Sequence, residues 1–499
     1  MKKDTTPVLV GVGQLVQKDI EPTKAMEPLA LMMKTAQLAS EDADVGNALL
    51  KEVDYLGVTD VMSWRYPNLP RILAEKLEIY PKEEVMTYMG GNMSQWLVNH
   101  VARMIANEKI GVALLTGGEC RYTVRHAMAA GIKLNWTTEG AGKAKRIGGR
   151  RRGISDHEIA YGLSSPTDTY ALFENAWRAH RKLDFEGHRK KIGGLLSSLS
   201  AVAAQNPYAW IQKFFTPDEI TRPAPDNRMI SFPYTVRMCA NWAVDKSSSV
   251  LMTSVSKARA LGIPEDQWVY WLGGGEADEA PWFISERPNF YSCPSMGVAF
   301  DQALTEARMT VDQLDFFDLY SCFHIAVRLA YEELGIGEDD PRPLTVSGGL
   351  PYAGQSGNNC GMDSIVSMIE RLRSEPGKRG LVTGNGWFLT KQSAAIYSTM
   401  PIDPSAKHKV PEDIPSRTHV EVVTGVIECP GVIETYTVGH SRDGEPERGL
   451  VIGRIGDGRR FIANTPQDRR LLEALMQEEH IGRSGRLTFH KGFHYFTPD

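Results

Sequence analysis

Glycine crowds into one stretch of this chain far more densely than a regular helix or strand accommodates. Between Gly348 and Gly361, five glycines (Gly348, Gly349, Gly354, Gly357, Gly361) fall within VSGGLPYAGQSGNNCG. Such density requires tight turns or close approach of the backbone to something else. The loop ends at Asn358 and Asn359, and the next residues place Ile365, Val366, Met368, Ile369 and Leu372 at helical spacing. Arg379–Val382 then reads as a short buried strand that runs into Thr383-Gly384-Asn385-Gly386. The same order occurs once earlier. Met89-Gly90-Gly91-Asn92-Met93-Ser94 precedes Leu97, Val98, Val101, Met104 and Ile105 at helical spacing, then the apolar run Ile110–Leu115 and the turn Thr116-Gly117-Gly118-Glu119. A repeated loop, helix, strand and turn predicts two related halves. Each loop feeds a helix N-terminus, where free backbone N–H groups can receive an anion or an oxyanion.

A chain of 499 residues exceeds one ordinary core, so several domains are expected. Pro7–Val12 is a buried-strand run that leads into Gly11-Val12-Gly13, a dinucleotide-loop lookalike without its third glycine. Ala25–Ser40 has helical periodicity, and Val53–Val61 and Glu84–Met89 read as strands; this alternation predicts an α/β sheet. Residues 1–119 and 236–265 are assigned to the first half. Residues 120–235 are polar, rich in helix-compatible runs and poor in strands, and read as a lid inserted in that half. Their basic cluster, with Lys143, Arg146 and Arg150 among its members, offers cations for the phosphates of a nucleotide-like ligand. The small residues of Ala243–Ala260 read as helical. The second half, 266–400, is expected to hold a strand at Trp268–Leu272, a helix at Pro294–Met309, a strand at Leu314–Leu319 and a helix at Ile325–Leu334.

Past a proline-rich linker the style changes. Val420–Ile427, Val432–Val438, Gly449–Ile455 and Arg460–Ala463 read as short strands, with one helix at Gln467–Glu478, so residues 401–499 form a separate small β-barrel-like module. A net charge of −5 argues against a general nucleic-acid binder. The six cysteines show no C-x-x-C and no metal spacing, as in a reduced cytoplasmic chain, and no metal site is expected. No window approaches a membrane span.

These parts, in this order, resemble the thiolase superfamily over roughly residues 5–400. PVLVGVGQ, the LTGGE turn and the long lid fall where that family has them. VSGGLPYAGQSGNNCG resembles the family's N-x-x-G-G-x-x-x-x-G-H-P-x-G loop without a gap, and DLYSCF resembles its H-D-C-F and N-E-A-F motifs. With the C-terminal module the chain is most similar to thiolase-like proteins of type 1, which carry an additional OB-like domain. The resemblance implies two βαβαβαββ halves in a five-layer αβαβα core. It implies an acyl-CoA held between them as substrate or ligand, no other cofactor, and a homodimer or monomer.

The departures from the family pattern bear on chemistry. The nucleophilic cysteine of the family falls at Gly90 or Gly91, its G-H-P histidine at Gln355, its C-x-G cysteine at Gly384, and the third-motif residue at Tyr320. A thiolase needs a thiolate and a base to activate it, and glycine supplies neither. What the resemblance leaves is an oxyanion and acyl-CoA loop framework: Gly90, Gly91, Asn92, Gly349, Gly354, Asn358, Gly384 and Gly386. The candidate catalytic residues are Tyr320 and Tyr352, the loop phenols; Gln355, a donor in place of the histidine; and Cys360, a thiol at a helix start. Cys322 reads as a packing residue and His324 as a surface or capping residue. Three functions are open: an acyltransferase by descent, a retro-aldolase acting on hydroxyacyl-CoA through tyrosine, and a non-catalytic acyl-CoA scaffold.

Overall fold

The computed structural model describes residues 4–46, 48–402 and 418–499. The first half contributes β1 (Pro7–Val16), α1 (Pro28–Asp42), β2 (Tyr55–Val58), α2 (Leu69–Leu77), β3 (Glu83–Thr87), α3 (Met93–Ala106) and β4 (Val112–Cys120). The insertion follows, with α4 (Pro166–His180) and α5 (Phe185–Ala203), and the half closes on β5 (Asp245–Ser254). The second half runs β6 (Val269–Asp278), α6 (Pro294–Glu306), β7 (Phe316–Asp318), α7 (His324–Glu333), α8 (Cys360–Ser374), β8 (Arg379–Gly386) and β9 (Lys391–Ser398).

The duplication is visible in the sheet. The first half orders its strands β1-β5-β4-β2 and the second β6-β9-β8-β7. In each, the first strand is antiparallel to the second in this order, the second is antiparallel to the third, and the third is parallel to the fourth. The halves meet where β1 pairs β6 at Val8↔Tyr270 and Leu9↔Val269, giving one continuous sheet of ten strands. The helices α3 and α8 bury their apolar stripes between the two halves, with Leu97, Val101, Ile365 and Ile369 in one core with Leu115, Val250, Val382 and Ala395. Outside the first half lies α1, with Met32 and Ala36 against Leu114 and Leu251; outside the second lie α6 and α7. Helix, sheet, helix, sheet, helix is the five-layer arrangement expected.

The Gly11-Val12-Gly13 turn lookalike is strand, and its glycines serve packing. A Cβ on Gly13 would sit 2.2 Å from the Thr35 carbonyl of α1, and one on Gly275 of β6 would sit 1.9 Å from the Ala299 carbonyl of α6. The two halves therefore use the same glycine contact to let a helix lie on the central strand.

One expectation fails outright. Ala243–Ala260 is helical only from Val255; Asp245–Ser254 is the fully inserted strand β5, paired with both β1 and β4. Its serines suit a helix by size, yet tertiary bonds decide. Ser249 and Ser247 Oγ lie 2.7 and 3.0 Å from Thr35 Oγ1, Ser247 donates to the Gly117 carbonyl at 2.8 Å, and Ser248 donates to Asp363 at 2.7 Å.

In the C-terminal module, β10 (Cys429–His440), β11 (Pro446–Ile455), β12 (Arg460–Asn464), β13 (Ser484–His490) and β14 (Phe493–Pro498) close a five-stranded barrel in the order β10-β11-β12-β14-β13 and back to β10. The helix α9 (Arg469–Gln477) lies between β12 and β13. Val420–Ile427 is no strand; only Val422 bridges to Arg460. The last two strands, with their half-polar alternation, escaped the sequence reading. The barrel is seated on the insertion: Gly439 of β10 pairs with Ser231, and Thr435 Oγ1 donates to the Leu172 carbonyl of α4 at 2.6 Å.

Candidate functional site

The two glycine loops meet where α3 and α8 begin. Asn358 joins them: its Oδ1 accepts from Gly90 N at 2.8 Å, its carbonyl from Ser94 Oγ at 2.8 Å, and its Nδ2 reaches the Asp60 carbonyl at 2.8 Å. Asn359 extends the tie, donating to Ser248 Oγ at 2.8 Å. Above this junction lies an inner cavity of about 250 Å³. Its floor is Gly90, Gly91, Tyr320, Gln355, Gly357, Asn358 and Asn385; its walls are Met62, Met89, Tyr170, Trp242, Cys322, Phe323, Trp387 and Phe388. A larger outer cavity of about 650 Å³ shares Met62 and Trp242 with it and carries Arg121, Arg125, Arg237 and Tyr352.

Tyr320 follows β7, and its N–H is fixed by Thr383 Oγ1 at 2.9 Å, which aims the ring at the first-half loop. A Cβ placed on Gly91 would lie 2.2 Å from Tyr320 Oη and 2.6 Å from the Asn385 carbonyl. The phenol thus stands where a side chain on residue 91 would begin. A Cβ on Gly384 would lie 2.9 Å from Asn92 Cα, and one on Gly386 would lie 2.3 Å from Asn92 Oδ1. Both cysteine positions of the resembled family are filled by neighbours. Gln355 follows Gly354, whose φ of +92° suits glycine, and donates to Tyr320 Oη at 3.0 Å. Gln355 Oε1 is buried without a partner among the described residues.

Burial raises the Tyr320 pKa well above its ordinary value, with Cys360 and Cys322 adding to the shift. The hydroxyl is therefore a proton holder at neutral pH. Cys360 is fully buried, its Sγ 3.9 Å from Tyr320 Oη, and burial pushes its thiol up to about 12; desolvation overrides the helix N-terminus. Cys322 does face the cavity, and burial likewise pushes it up to about 12. Neither supplies a thiolate. Tyr352 is away from this group: it lines the outer cavity, packs at 5.7 Å on Phe215, and its buried hydroxyl has no partner among the described residues. Among the described residues, no carboxylate, imidazole or amine lines the inner cavity. The arrangement can hydrogen-bond a carbonyl or enolate oxygen and enclose a small apolar group.

Of the proposed phosphate cations, Lys143 and Arg150 are exposed, and Arg146 is paired with Asp60 at 3.0 Å and donates to the Thr87 carbonyl. None lines either cavity. Gly349 packs on Leu199 and stays outside the cavity lining. Sequence reasoning missed Tyr170, Phe323, Trp387 and Phe388 as cavity walls, and Arg121 and Arg125 at the outer one. Arg121 stacks on Trp242 at 5.1 Å, and neither arginine makes an ion pair among the described residues. Nothing in their spacing marks them; the fold alone gathers them.

His324 is no surface residue. It is fully buried, with Nδ1 2.9 Å from Glu174 Oε1, while His188 Nε2 lies 2.8 Å from the same oxygen and Tyr234 donates to Glu174 Oε2 at 2.6 Å. These are metal-ligand side chains within 4.8 Å of one another, but each is joined to Glu174 by a hydrogen bond. They tie α4 and α5 to α7 directly behind Phe323.

The comparisons agree with this geometry. Residues 409–490 match the family model described as the thiolase-like protein type 1 additional C-terminal domain. Over the full length of both chains, the fold is similar to a monomeric SCP2-thiolase like protein type 1 from Mycobacterium smegmatis, at 29% identity and a TM-score of 0.83. An Ltp2-ChsH2(DUF35) aldolase matches at 17% identity and a TM-score of 0.59, over 80% of this chain and 99% of that one. The dimeric peroxisomal thiolase of Saccharomyces cerevisiae matches at 15% and 0.56, over 80% and 98%. No curated protein matches the chain.

Proposed function

The chain is a thiolase-like protein with an additional C-terminal domain, and from that premise we propose that it binds an acyl thioester of coenzyme A and handles it without a covalent acyl-enzyme. The observation that carries this reading is Tyr320 Oη in the space of a residue-91 side chain, with Gln355 as its donor and no thiolate nearby. The thioester carbonyl would accept from Tyr320. The acyl group would lie among Tyr170, Phe323, Trp387 and Phe388, in a cavity that favours short chains. The pantetheine arm would pass Met62 and Trp242, and the phosphates would meet Arg121 and Arg125 in place of Lys143, Arg146 and Arg150. Acyl transfer by the family's covalent route has no residue to run through.

Six unpaired cysteines support a cytoplasmic site of action. No described helix is long and apolar enough to cross a membrane. The strand Lys145–Ile147 pairs with β3 and covers that sheet edge, which favours a monomer over a partner joined strand to strand.

One observation favours a second reading, a retro-aldol cleavage of a 3-hydroxyacyl-CoA. Breaking the bond between the α- and β-carbons leaves an enolate, which takes a proton at the α-carbon, while the β-hydroxyl loses one as it becomes a carbonyl. The exchange is balanced without an oxidant when both transfers run together: the Tyr320 phenol, held protonated by burial, would give its proton to the enolate as it accepts the β-hydroxyl proton, and so ends as it began. Titration calorimetry with acetyl-CoA, a 3-hydroxyacyl-CoA and free CoA, with mass spectrometry of the same samples, separates these outcomes. Binding without turnover supports the first reading, and a shortened acyl-CoA plus carbonyl product the second. Tyr320→Phe should weaken acetyl-CoA relative to CoA by about fivefold, the worth of one hydrogen bond near 1 kcal/mol. Absence of any CoA-thioester binding at millimolar concentration would remove both.

A further inference from the structure

The outer wall of the inner cavity is a turn under strain. Trp387 and Leu389 have φ of +59° and +56°, a region that side chains other than glycine rarely occupy and hold only where the surroundings impose it. Between them Phe388 faces the cavity. Two donors grip the turn from behind: Tyr170 Oη reaches the Trp387 carbonyl at 3.0 Å, and Arg287 Nη1 reaches the Phe388 carbonyl at 2.9 Å. Arg287 also donates to Thr390 Oγ1 at 3.0 Å and to the Trp282 carbonyl at 3.2 Å.

Both grips lead back to the C-terminal barrel. Arg460 of β12 is fully buried, yet its guanidinium leaves the barrel: Nη1 donates to the carbonyls of Ser285 at 2.9 Å and Arg287 at 2.6 Å, while Glu434 of β10 holds Nε at 2.6 Å and Nη2 at 3.0 Å. Val420 N bonds to the Glu286 carbonyl at 2.9 Å beside it. Tyr170 belongs to α4, whose other face lies on β10: Thr435 Oγ1 donates to the Leu172 carbonyl at 2.6 Å, and Asn175 Nδ2 donates to the Tyr436 carbonyl at 2.9 Å. A module tethered only for outside partners would have no use for a buried arginine aimed into the thiolase core.

We infer that the C-terminal barrel is a positioning device for the inner cavity, acting through Arg460 and Arg287, and through β10 and Tyr170, to hold the Gly386–Thr390 turn in its left-handed conformation. Arg460 and Arg287 are positioning residues; neither lines the cavity. The inference takes from the proposed function only that the acyl group enters there.

The test is peptide-level hydrogen exchange on the full-length, ligand-free chain, wild type against Arg460→Met, followed by titration with acetyl-CoA and free CoA. Exchange across 386–390 should quicken at least tenfold while β4 and β5 keep their protection. Acetyl-CoA should bind at least fivefold more weakly, with free CoA unchanged. An unchanged turn, or acceleration spread evenly over the whole chain, overturns the inference. If Arg460→Met does not fold, Glu434→Gln keeps the arginine and loosens its anchor, with the same two outcomes decisive. The exchange arm uses no ligand, so a wild type that binds no acetyl-CoA but shows local loosening in the variant removes the proposed function and leaves this inference standing.

Discussion

Tyr170 and Glu174 lie one turn apart on α4, and the two sides of that turn are built on opposite principles. The Tyr170 side faces a cavity whose hydrogen-bonding groups are phenols, amides and protonated thiols. The Glu174 side faces a buried cluster with a carboxylate, two imidazoles and a phenol, each of the last three hydrogen-bonded to Glu174. Phe323 separates them, stacked on Tyr170 at 4.5 Å and tilted against Tyr234 at 5.0 Å. The acid–base groups are thus spent on joining lid to core, and the ligand side keeps groups that stay neutral. A covalent thiolase needs the reverse distribution, with its thiolate and base exposed to substrate.

The largest effect expected from breaking this contrast is at Glu174. Burial alone would raise its pKa, but His324 and His188 hold the carboxyl well below the usual carboxylate range. Burial lowers the His188 pKa, against the opposing pull of Glu174. Glu174→Gln removes the buried anion and should cost about 3–5 kcal/mol in urea or thermal unfolding, the typical penalty for breaking a buried ionic cluster. The pH signs agree. The depressed Glu174 contributes stability present above its unfolded pKa, near 4.3, and lost as pH falls below it; the lowered His188 pKa makes the unfolded chain bind more protons as pH falls through about 6.5. Wild-type stability should therefore fall from near pH 6.5 downward and more steeply below about 4.5. The variant should lose the steeper phase, and an unaltered acid limb would mean that Glu174 titrates as an ordinary carboxylate.

The next effect tests whether the cavity can be made to resemble its opposite. Gly91→Cys restores the family's thiol but drives its Cβ into Tyr320 Oη. Overpacking of this kind costs about 1–3 kcal/mol, and no acyl adduct should form on incubation with acetyl-CoA. Gly91→Cys with Tyr320→Ala should recover at least half of the lost stability, because the Asn385 carbonyl remains close, while the phenol does not. An acyl adduct on the single variant, detected by intact mass, would mean that Tyr320 swings aside and that the missing thiol is the sole barrier to covalent chemistry.

The order in which these features became legible follows from their range. The paired loops, α3 with β4 and α8 with β8, stood in the sequence because glycine spacing and apolar periodicity are local. Gln355 falls within the second of those loops, whereas Tyr320 follows β7. The strand β5 did not, because its serines become strand residues only through bonds to Thr35 and Asp363, which no window along the chain contains. His324 looked like a helix-opening surface residue for the same reason: its partner Glu174 lies 150 residues away. The left-handed Trp387 and Leu389 carry no local signal, since neither residue type favours that conformation and the cause is Arg287 and Tyr170 behind them.

The smallest effect sharpens the contrast between the inner cavity, which is poor in charge, and its outer neighbour. The Arg121 guanidinium lies 5.1 Å from the ring centre of Trp242, a residue common to both cavities, and Arg125 lies one helical turn further along the same short helix. A phosphate reaching both would form solvent-exposed ion pairs worth up to about 1 kcal/mol each. Arg121→Gln with Arg125→Gln should weaken acetyl-CoA by about tenfold, with a shallower salt dependence, because screening acts on the exposed pairs that were removed. Acetyl-pantetheine, which carries the thioester but no phosphate, should bind both proteins alike. Lys143→Gln with Arg150→Gln should leave acetyl-CoA within twofold, since those residues line neither cavity. If that second pair carried the loss, the nucleotide would lie over the Lys145–Ile147 edge strand, and the outer cavity would have another occupant. If acetyl-pantetheine weakened along with acetyl-CoA, the arginines would be shaping the Trp242 wall rather than meeting charge, and the division between a neutral inner cavity and a cationic outer one would fail.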